Sequence, residues 1–104
     1  MTGQELQQLI IDKWGYSYDA QVVRIKDKIY FQVMWKYLEQ ASFHYTQAEY
    51  MANLEQIAQY LTSWGVVSQV IEGITDTKSK PRLGKAVSIS LNLGERASEW
   101  ILDN

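Results

Sequence analysis

The chain of 104 residues carries twelve acidic and ten basic side chains, a net charge of -2 that indicates no global preference for nucleic acids or membranes. It contains no cysteine, which excludes disulfides, thiolate zinc sites, iron-sulfur clusters and thiol nucleophiles. No cationic start followed by an apolar run opens the chain, and nowhere do roughly 18 apolar residues occur in succession. We expect a cytoplasmic protein that forms one domain over residues 1–104 and does not insert into a membrane.

The first predicted element is a helix over Gly3–Trp14. The sequence TGQE at Thr2–Glu5 matches a capping box, in which the Thr hydroxyl and the Glu carboxylate each accept a bond from a free backbone N–H. Gly15 follows where a left-handed residue often ends a helix. The apolar stripe of this helix comprises Leu6, Leu9, Ile10 and Trp14.

Two strands are predicted within Asp19–Leu38, because this segment is rich in β-branched and aromatic residues and its apolar side chains alternate. We place the turn between the strands at Asp27-Lys28. The turn type stays open, since the Asn-Gly or Asp-Gly signature of a tight hairpin is absent. The alternating residues of the second strand are Ile29, Phe31, Val33 and Trp35.

A second capping box at Thr46–Glu49 predicts a long amphipathic helix over Gln47–Trp64, with Gly65 at its stop. Its apolar face comprises Tyr50, Leu54, Ile57, Leu61 and Trp64. The segment that follows from Val66 is ambiguous, because its apolar spacing is helical whereas its β-branched content and Gly73 lower helix propensity. A helix is the favoured interpretation.

Residues 78–84 contain the single proline and are predicted to form an exposed loop, after which the alternation in KAVSISL predicts a strand. Asn92 can cap a short closing helix that carries Ala97, Trp100 and Ile101 on one side. The element order is therefore α-β-β-α-α-β-α. This order predicts an α+β fold, with helices packed on a small three-stranded sheet.

Motifs for catalysis, metals and cofactors are missing from the sequence. The single histidine, His44, has no nucleophile and base arranged near it in the sequence. Because the chain has no cysteine and one histidine, only carboxylates could bind a metal, and their spacing does not match a calcium-binding loop. The end of SKPRLGK resembles a phosphate-binding P-loop but has Ser79 for its first glycine and Ala86 for its hydroxyl residue. Glu95 and Glu99 are typical of a solvated helix face. We predict no catalytic residue, metal or cofactor.

Charge is distributed unevenly along the chain. Five acids and no Lys or Arg lie between Tyr37 and Thr77, and four cations then follow within eight residues, namely Lys78, Lys80, Arg82 and Lys85. Such a dipolar surface can orient a partner of complementary potential. The alternatives are that these cations keep a loop soluble or complement the negative end of the preceding helix. Four cations in an acidic chain fall short of the usual footprint of a nucleic-acid binder.

The aromatic residues are predicted to fill the core by default, in particular Trp14, Phe31, Trp35 and Trp64. The run YFQVMWKY nevertheless places large side chains on both faces of one strand, with Tyr30 and Met34 opposite Phe31 and Trp35. Either helices cover both faces of the sheet, or an apolar patch that includes Tyr30 and Met34 stays open to a partner.

Three long stretches, MTGQELQQLIIDKWGYSYD, KIYFQVMWKYLEQASF and PRLGKAVSISLNLGERASEW, resemble a family of cyanobacteria and plastid-bearing eukaryotes that is described as a domain of unknown function. The resemblance covers nearly the whole chain and brings no catalytic residues with it. Family members are expected to carry a proline in AVSIPL where this chain has Ser90. The resemblance implies a setting in the cytoplasm of a photosynthetic bacterium or the stroma of a plastid, and a role in assembly or maintenance of the photosynthetic apparatus.

The leading functional hypothesis is a non-enzymatic interaction module that docks on a protein partner. Its predicted binding residues are Lys78, Lys80, Arg82, Lys85, Tyr30 and Met34. A small anion-binding or ligand-binding domain that uses the basic loop 78–85 is the alternative, and it predicts cations that converge in a pocket of roughly 300 Å³ or more. Nucleic-acid binding and an enzyme that uses His44, Glu95 or Glu99 are further alternatives. A monomer is favoured.

Overall fold

The computed structural model describes residues 1–94 and has an α+β fold, as predicted. Its elements in chain order are α1 (Gly3–Trp14), β1 (Tyr18–Ile25), β2 (Lys28–Tyr37), α2 (Gln47–Trp64), α3 (Val67–Asp76) and β3 (Val87–Leu91). The predicted order is confirmed over this range. The predicted closing helix, with Ala97, Trp100 and Ile101, lies outside the described residues.

Local capping chemistry sets the bounds of the two longer helices. Thr2 and Thr46 each accept a hydrogen bond from the backbone N–H three residues on, at 3.1 Å in both cases, and the Glu at that position accepts one in return. Gly15 and Gly65 end these helices in the left-handed conformation. Both helices therefore begin and end at the predicted residues.

The three strands form one antiparallel sheet in the order β1-β2-β3. Ile25 pairs with Lys28, so the two residues of the first turn are Lys26 and Asp27 and the predicted position, Asp27-Lys28, is wrong by one residue. Lys26 takes a positive φ of 57°. The pairing of the flanking strands, and not a glycine in the turn, thus decides the register here.

The helices cover one face of the sheet, where Ile29, Phe31 and Val33 of β2 are buried. The Tyr50 hydroxyl of α2 donates a 2.9 Å hydrogen bond to the carbonyl of Tyr18 on this side. The tryptophans predicted for the core are half-buried, because each lies where an element ends or at the margin of the packed face. The buried core comprises Leu6, Ile10, Tyr18, Ala20, Ile29, Phe31, Val33, Tyr50, Leu54, Ile57, Leu61, Val66, Val70, Ile74, Val87 and Leu91.

No helix within residues 1–94 is both long enough and apolar enough to span a lipid bilayer.

Candidate functional site

The basic segment 78–85, which we call the basic hairpin, closes in a tight turn and not in an irregular loop. The backbone N–H of Arg82 donates to the Lys85 carbonyl at 3.0 Å, and the Lys85 N–H donates to the Arg82 carbonyl at 2.7 Å. Leu83 and Gly84 form the tip, and Gly84 has a φ of 78°. A positive φ at the second tip residue alone is typical of a type II turn, which favours glycine at that position.

The end of α1 holds the start of the basic hairpin in place. The indole Nε1 of Trp14 donates to the Ser79 carbonyl at 3.1 Å, and Lys13 Nζ donates to the Thr75 carbonyl at 3.0 Å, in the last turn of α3. The Ser79 N–H donates in turn to the Thr77 hydroxyl at 3.2 Å. Lys13 therefore complements the negative end of α3, the task that one alternative assigned to the loop cations.

Three of the four predicted cations converge on one pocket. Lys80, Arg82 and Lys85 line a cavity of about 100 Å³, together with Thr77, Ser79, Ala86, Val87 and Ser88. Lys78 is exposed and is not among the lining residues. The volume is well below the roughly 300 Å³ at which pockets for small organic ligands begin. The prediction of a pocket of at least this volume, made for the anion-binding or ligand-binding alternative, is therefore wrong. A cavity of this size accommodates one small group.

The tip of the basic hairpin carries a large apolar side chain into solvent. Leu83 is 89% exposed, although Pro81, two residues before it, is buried. The cations Arg82 and Lys85 flank the tip on its two sides. The basic hairpin therefore presents an exposed apolar side chain between two cationic residues.

Tyr30 and Met34 lie half-buried on the sheet face that the helices within residues 1–94 do not cover, which we call the open face. A chain of side-chain hydrogen bonds crosses this face: Gln21 Nε2 donates to Gln32 Oε1 at 2.7 Å, and Gln32 Nε2 donates to Ser88 Oγ at 3.0 Å. Gln32 thus separates the two predicted binding residues along β2. The open face is a mixed polar and apolar surface, and Ser88 joins it to the pocket.

His44 is exposed, and its Nε2 lies 3.9 Å from Asp19 Oδ2. Asp19 Oδ1 accepts a 2.9 Å bond from the Ala20 N–H, and Asn53 Nδ2 lies 3.4 Å from Oδ1. Burial raises the pKa of the Asp19 carboxyl above its ordinary value, against the lowering effect of these bonds and of His44. Glu95 and Glu99 lie outside the described residues.

Within residues 1–94, no three His, Cys, Asp or Glu side chains come together as a metal site would require.

Three of the five acids between Tyr37 and Thr77 accept hydrogen bonds from backbone N–H groups. Glu39 accepts from the buried Ser17 N–H at 2.8 Å, and Glu55 accepts from the Gly3 N–H at 2.6 Å. Glu49 completes its capping box, and the two bonds with Thr46 lower the pKa of its carboxyl. The need of backbone N–H groups for acceptors therefore explains part of the negative charge of this segment.

Sequence reasoning missed Thr77, Ser79, Ser88 and Leu83 as members of this surface. The alternation of KAVSISL could have indicated Ser88, since the serines of that strand fall on the face opposite Val87 and Ile89. Leu83 could have been noticed as an isolated apolar residue among cations. The anchoring bond from Trp14 joins residues 65 positions apart, and no local pattern reports it.

Comparison with known proteins supports the fold. The family model described as a domain of unknown function, DUF3067, matches residues 4–101. The solution NMR structure of the Alr2454 protein from Nostoc sp. strain PCC 7120 is similar with 62% sequence identity and a TM-score of 0.88, over 99% of this chain and 100% of that chain. No curated protein matches the sequence. The comparisons thus bring a family and a structure, and no activity.

Proposed function

The chain belongs to the DUF3067 family, and for this member we propose a non-enzymatic interaction module that docks on a protein partner through its basic hairpin. The partner presents an apolar pocket for Leu83, surrounded by acidic side chains. The open sheet face with Tyr30 and Met34 adjoins this surface through Ser88 and enlarges it.

The observation that carries this proposal is the 89% exposure of Leu83 at the tip of a closed turn. When a partner covers an exposed leucine, the free energy of binding becomes more favourable by roughly 25 cal/mol for each Å² of apolar surface buried. The turn is closed by two backbone bonds and its base is tied to Trp14, so little conformational entropy remains to be lost on docking.

The chemistry of the partner follows from charge. The whole chain is negative, yet Lys80, Arg82 and Lys85 concentrate positive charge in the basic hairpin that carries Leu83. A partner with an acidic surface is attracted to the basic hairpin and repelled by the acidic helices, which fixes its orientation as it approaches. This orientation argues for a protein partner, since a polyanion without a defined shape would not use the apolar tip.

The cellular setting of the proposal comes from the family. The similar NMR structure belongs to a cyanobacterial protein. This origin supports a partner in the cytoplasm of a photosynthetic bacterium, or in the plastid stroma for eukaryotic relatives. Assembly or maintenance of the photosynthetic apparatus is the process in which we place the module.

The test is site-specific photo-crosslinking in cyanobacterial cells. A photoreactive amino acid replaces Leu83 in one version of the protein and Gln59, an exposed position on α2, in a second. A further version with the photoreactive residue at position 83 also carries Lys80→Glu, Arg82→Glu and Lys85→Glu. A matched control carries Arg24→Glu, Lys26→Glu and Lys28→Glu, which make the same charge change on the other hairpin.

We expect one discrete adduct from position 83, which persists in the matched control and disappears in the triple variant of the basic hairpin. Its partner, identified by mass spectrometry, should carry an acidic surface at the crosslinked residue. Adducts of equal yield from position 59, an adduct unaffected by reversal of the basic hairpin, or adducts to lipid alone would each overturn the proposal.

A further inference from the structure

We infer that the pocket of the basic hairpin binds a single phosphate group, either free or as a monoester carried by the docking partner. The inference rests on the proposed function in that the same hairpin forms the docking surface. Positive charge alone would attract any anion, whereas the proposed pocket selects phosphate.

The hydroxyl groups of the pocket are arranged to donate hydrogen bonds. Thr77 Oγ1 accepts from the Ser79 N–H at 3.2 Å, and Ser88 Oγ accepts from Gln32 Nε2 at 3.0 Å. Neither hydroxyl donates to another group within residues 1–94. Because a hydroxyl has one donor in addition to its acceptor lone pairs, both groups keep an O–H for a ligand. Such a pocket suits an acceptor-only anion and not a cation.

The donor side of Ser88 is strengthened by the chain behind it. Gln21 donates to Gln32, and Gln32 donates to Ser88, so two amides polarise this hydroxyl in one direction across all three strands. Hydrogen bonds in a chain of this kind reinforce one another. An anion at Ser88 would be the terminal acceptor of the chain.

The charge of the pocket requires more than a hydroxyl-binding ligand. Lys80, Arg82 and Lys85 line it, and no carboxylate of residues 1–94 lies within 4.0 Å of their side-chain nitrogens. Arginine offers a planar fork that matches the oxygens of a phosphate, and lysine offers a compact point charge. Three cations with two or three hydroxyls suit a group with three terminal oxygens and up to two charges, better than a carboxylate with two oxygens and one charge.

Volume restricts the ligand further. The cavity of about 100 Å³ is well below the roughly 300 Å³ at which pockets for small organic ligands begin. It therefore suits a tetrahedral oxyanion better than a whole nucleotide. Anything attached to the phosphate must lie outside the pocket, in the direction of the exposed Leu83 or along the open face.

The test is an NMR titration of the ¹⁵N-labelled full chain with inorganic phosphate at constant ionic strength. Saturable shifts are expected at the amides of Ser79, Lys85 and Ser88 and at the side-chain amide of Gln32. The affinity should increase severalfold from pH 5.5 to 7.5, because a phosphate monoester gains its second charge near pH 6 and inorganic phosphate gains it about one pH unit higher. A parallel titration with O-phosphoserine shows whether the pocket accepts a monoester, and acetate serves as the single-charge comparison.

Two variants and one control make the result specific. The charge reversal Lys80→Glu, Arg82→Glu and Lys85→Glu should abolish the saturable shifts, whereas the matched reversal at Arg24, Lys26 and Lys28 should keep them. Ser88→Ala should lower the affinity for phosphate about threefold to tenfold, as expected for one lost hydrogen bond. Dispersed amide spectra of each variant establish that it is folded.

Linear shifts without saturation, equal binding of acetate, or unchanged binding after reversal of the basic hairpin would each overturn the phosphate pocket. Failure of the docking proposal has a different signature. Saturable phosphate binding with no adduct from position 83 keeps the pocket and removes the docking function. A Leu83 adduct without phosphate binding keeps docking and removes the pocket.

Discussion

Ile89 of β3 lies against the α-carbon of Gly73 in the middle of α3, so closely that a Cβ added to Gly73 would lie 2.6 Å from Ile89 Cγ2. Glycine in a helix interior costs about 1 kcal/mol relative to alanine. Here it lets the helix approach the edge strand of the sheet. The residue that made the sequence of α3 ambiguous is therefore the one that its packing requires.

Gly73→Ala should lower the free energy of unfolding by about 1–2 kcal/mol, because the overpacking cost of typically 1–3 kcal/mol exceeds the gain in helix propensity. Urea unfolding measures the change. In an Ile89→Ala background, which removes all three side-chain atoms near Gly73, the same substitution should be neutral or stabilising. A stabilising Gly73→Ala in the wild-type chain would contradict the close contact.

Tyr50→Phe tests the hydrogen bond between the phenol of α2 and the carbonyl of Tyr18. Both residues are buried, and burial raises the pKa of the Tyr50 phenol, since a charged phenolate would lack solvent there. Loss of the donor should cost about 1–3 kcal/mol in urea unfolding, because the carbonyl is left without this partner. Tyr60→Phe, which removes an exposed hydroxyl bonded to Gln56, is the control and should change stability little.

Asp19→Asn tests the half-buried carboxylate. Its pKa in the folded chain is raised above the ordinary 3.8, so the folded state holds this proton more tightly than the unfolded state. The stability that comes from the protonated group is complete below pH 3.8 and is lost as the pH rises through the folded pKa. The stability of Asp19→Asn relative to wild type should therefore increase from about pH 3 to 6.

Urea unfolding at several pH values checks this difference. Taking the difference cancels the contributions of groups that both chains share, including Glu49, whose lowered pKa acts in the opposite direction. The positive groups that face Asp19 are His44 and Lys36, and both favour the charged carboxylate. A difference that is flat or decreases with pH would show that their attraction outweighs burial.

Trp14→Phe tests how the basic hairpin is positioned. The substitution removes the indole donor to the Ser79 carbonyl and keeps an aromatic ring. We expect amide hydrogen exchange at Arg82 and Lys85 to become about threefold to tenfold faster, equivalent to the loss of one hydrogen bond. Exchange in α2 should change less. Trp64→Phe, a half-buried tryptophan that stacks on Tyr60, is the matched control and should leave the hairpin amides unchanged.

The elements that could be predicted from the sequence are those whose bounds depend on neighbours in the chain. Thr2 and Thr46 bind N–H groups three residues away, and Gly15 and Gly65 need only a left-handed backbone, so local spacing carries the information. The first turn depends on how Ile25 pairs with Lys28 across two strands, and its position was wrong by one residue.

The candidate site could be predicted only in part. The cations are adjacent in sequence, so their clustering is visible, but whether they converge depends on the turn that joins Arg82 to Lys85. The hydroxyl of Ser88 is oriented by Gln32, which lies 56 residues away. Burial of the tryptophans likewise depends on which side of the sheet the helices occupy. The periodicity of a single element does not indicate that side.

The turn at Arg82–Lys85 closes on its own backbone, and its tip residue is almost wholly in water. Within residues 1–94, no core contact and no strand pairing depends on which side chain stands at position 83. Under the proposed docking function, recognition and folding are therefore separable: another side chain at the tip would select a new partner, while the helices and sheet keep their stability. The proposed docking surface is in this sense one whose specificity can be exchanged one residue at a time.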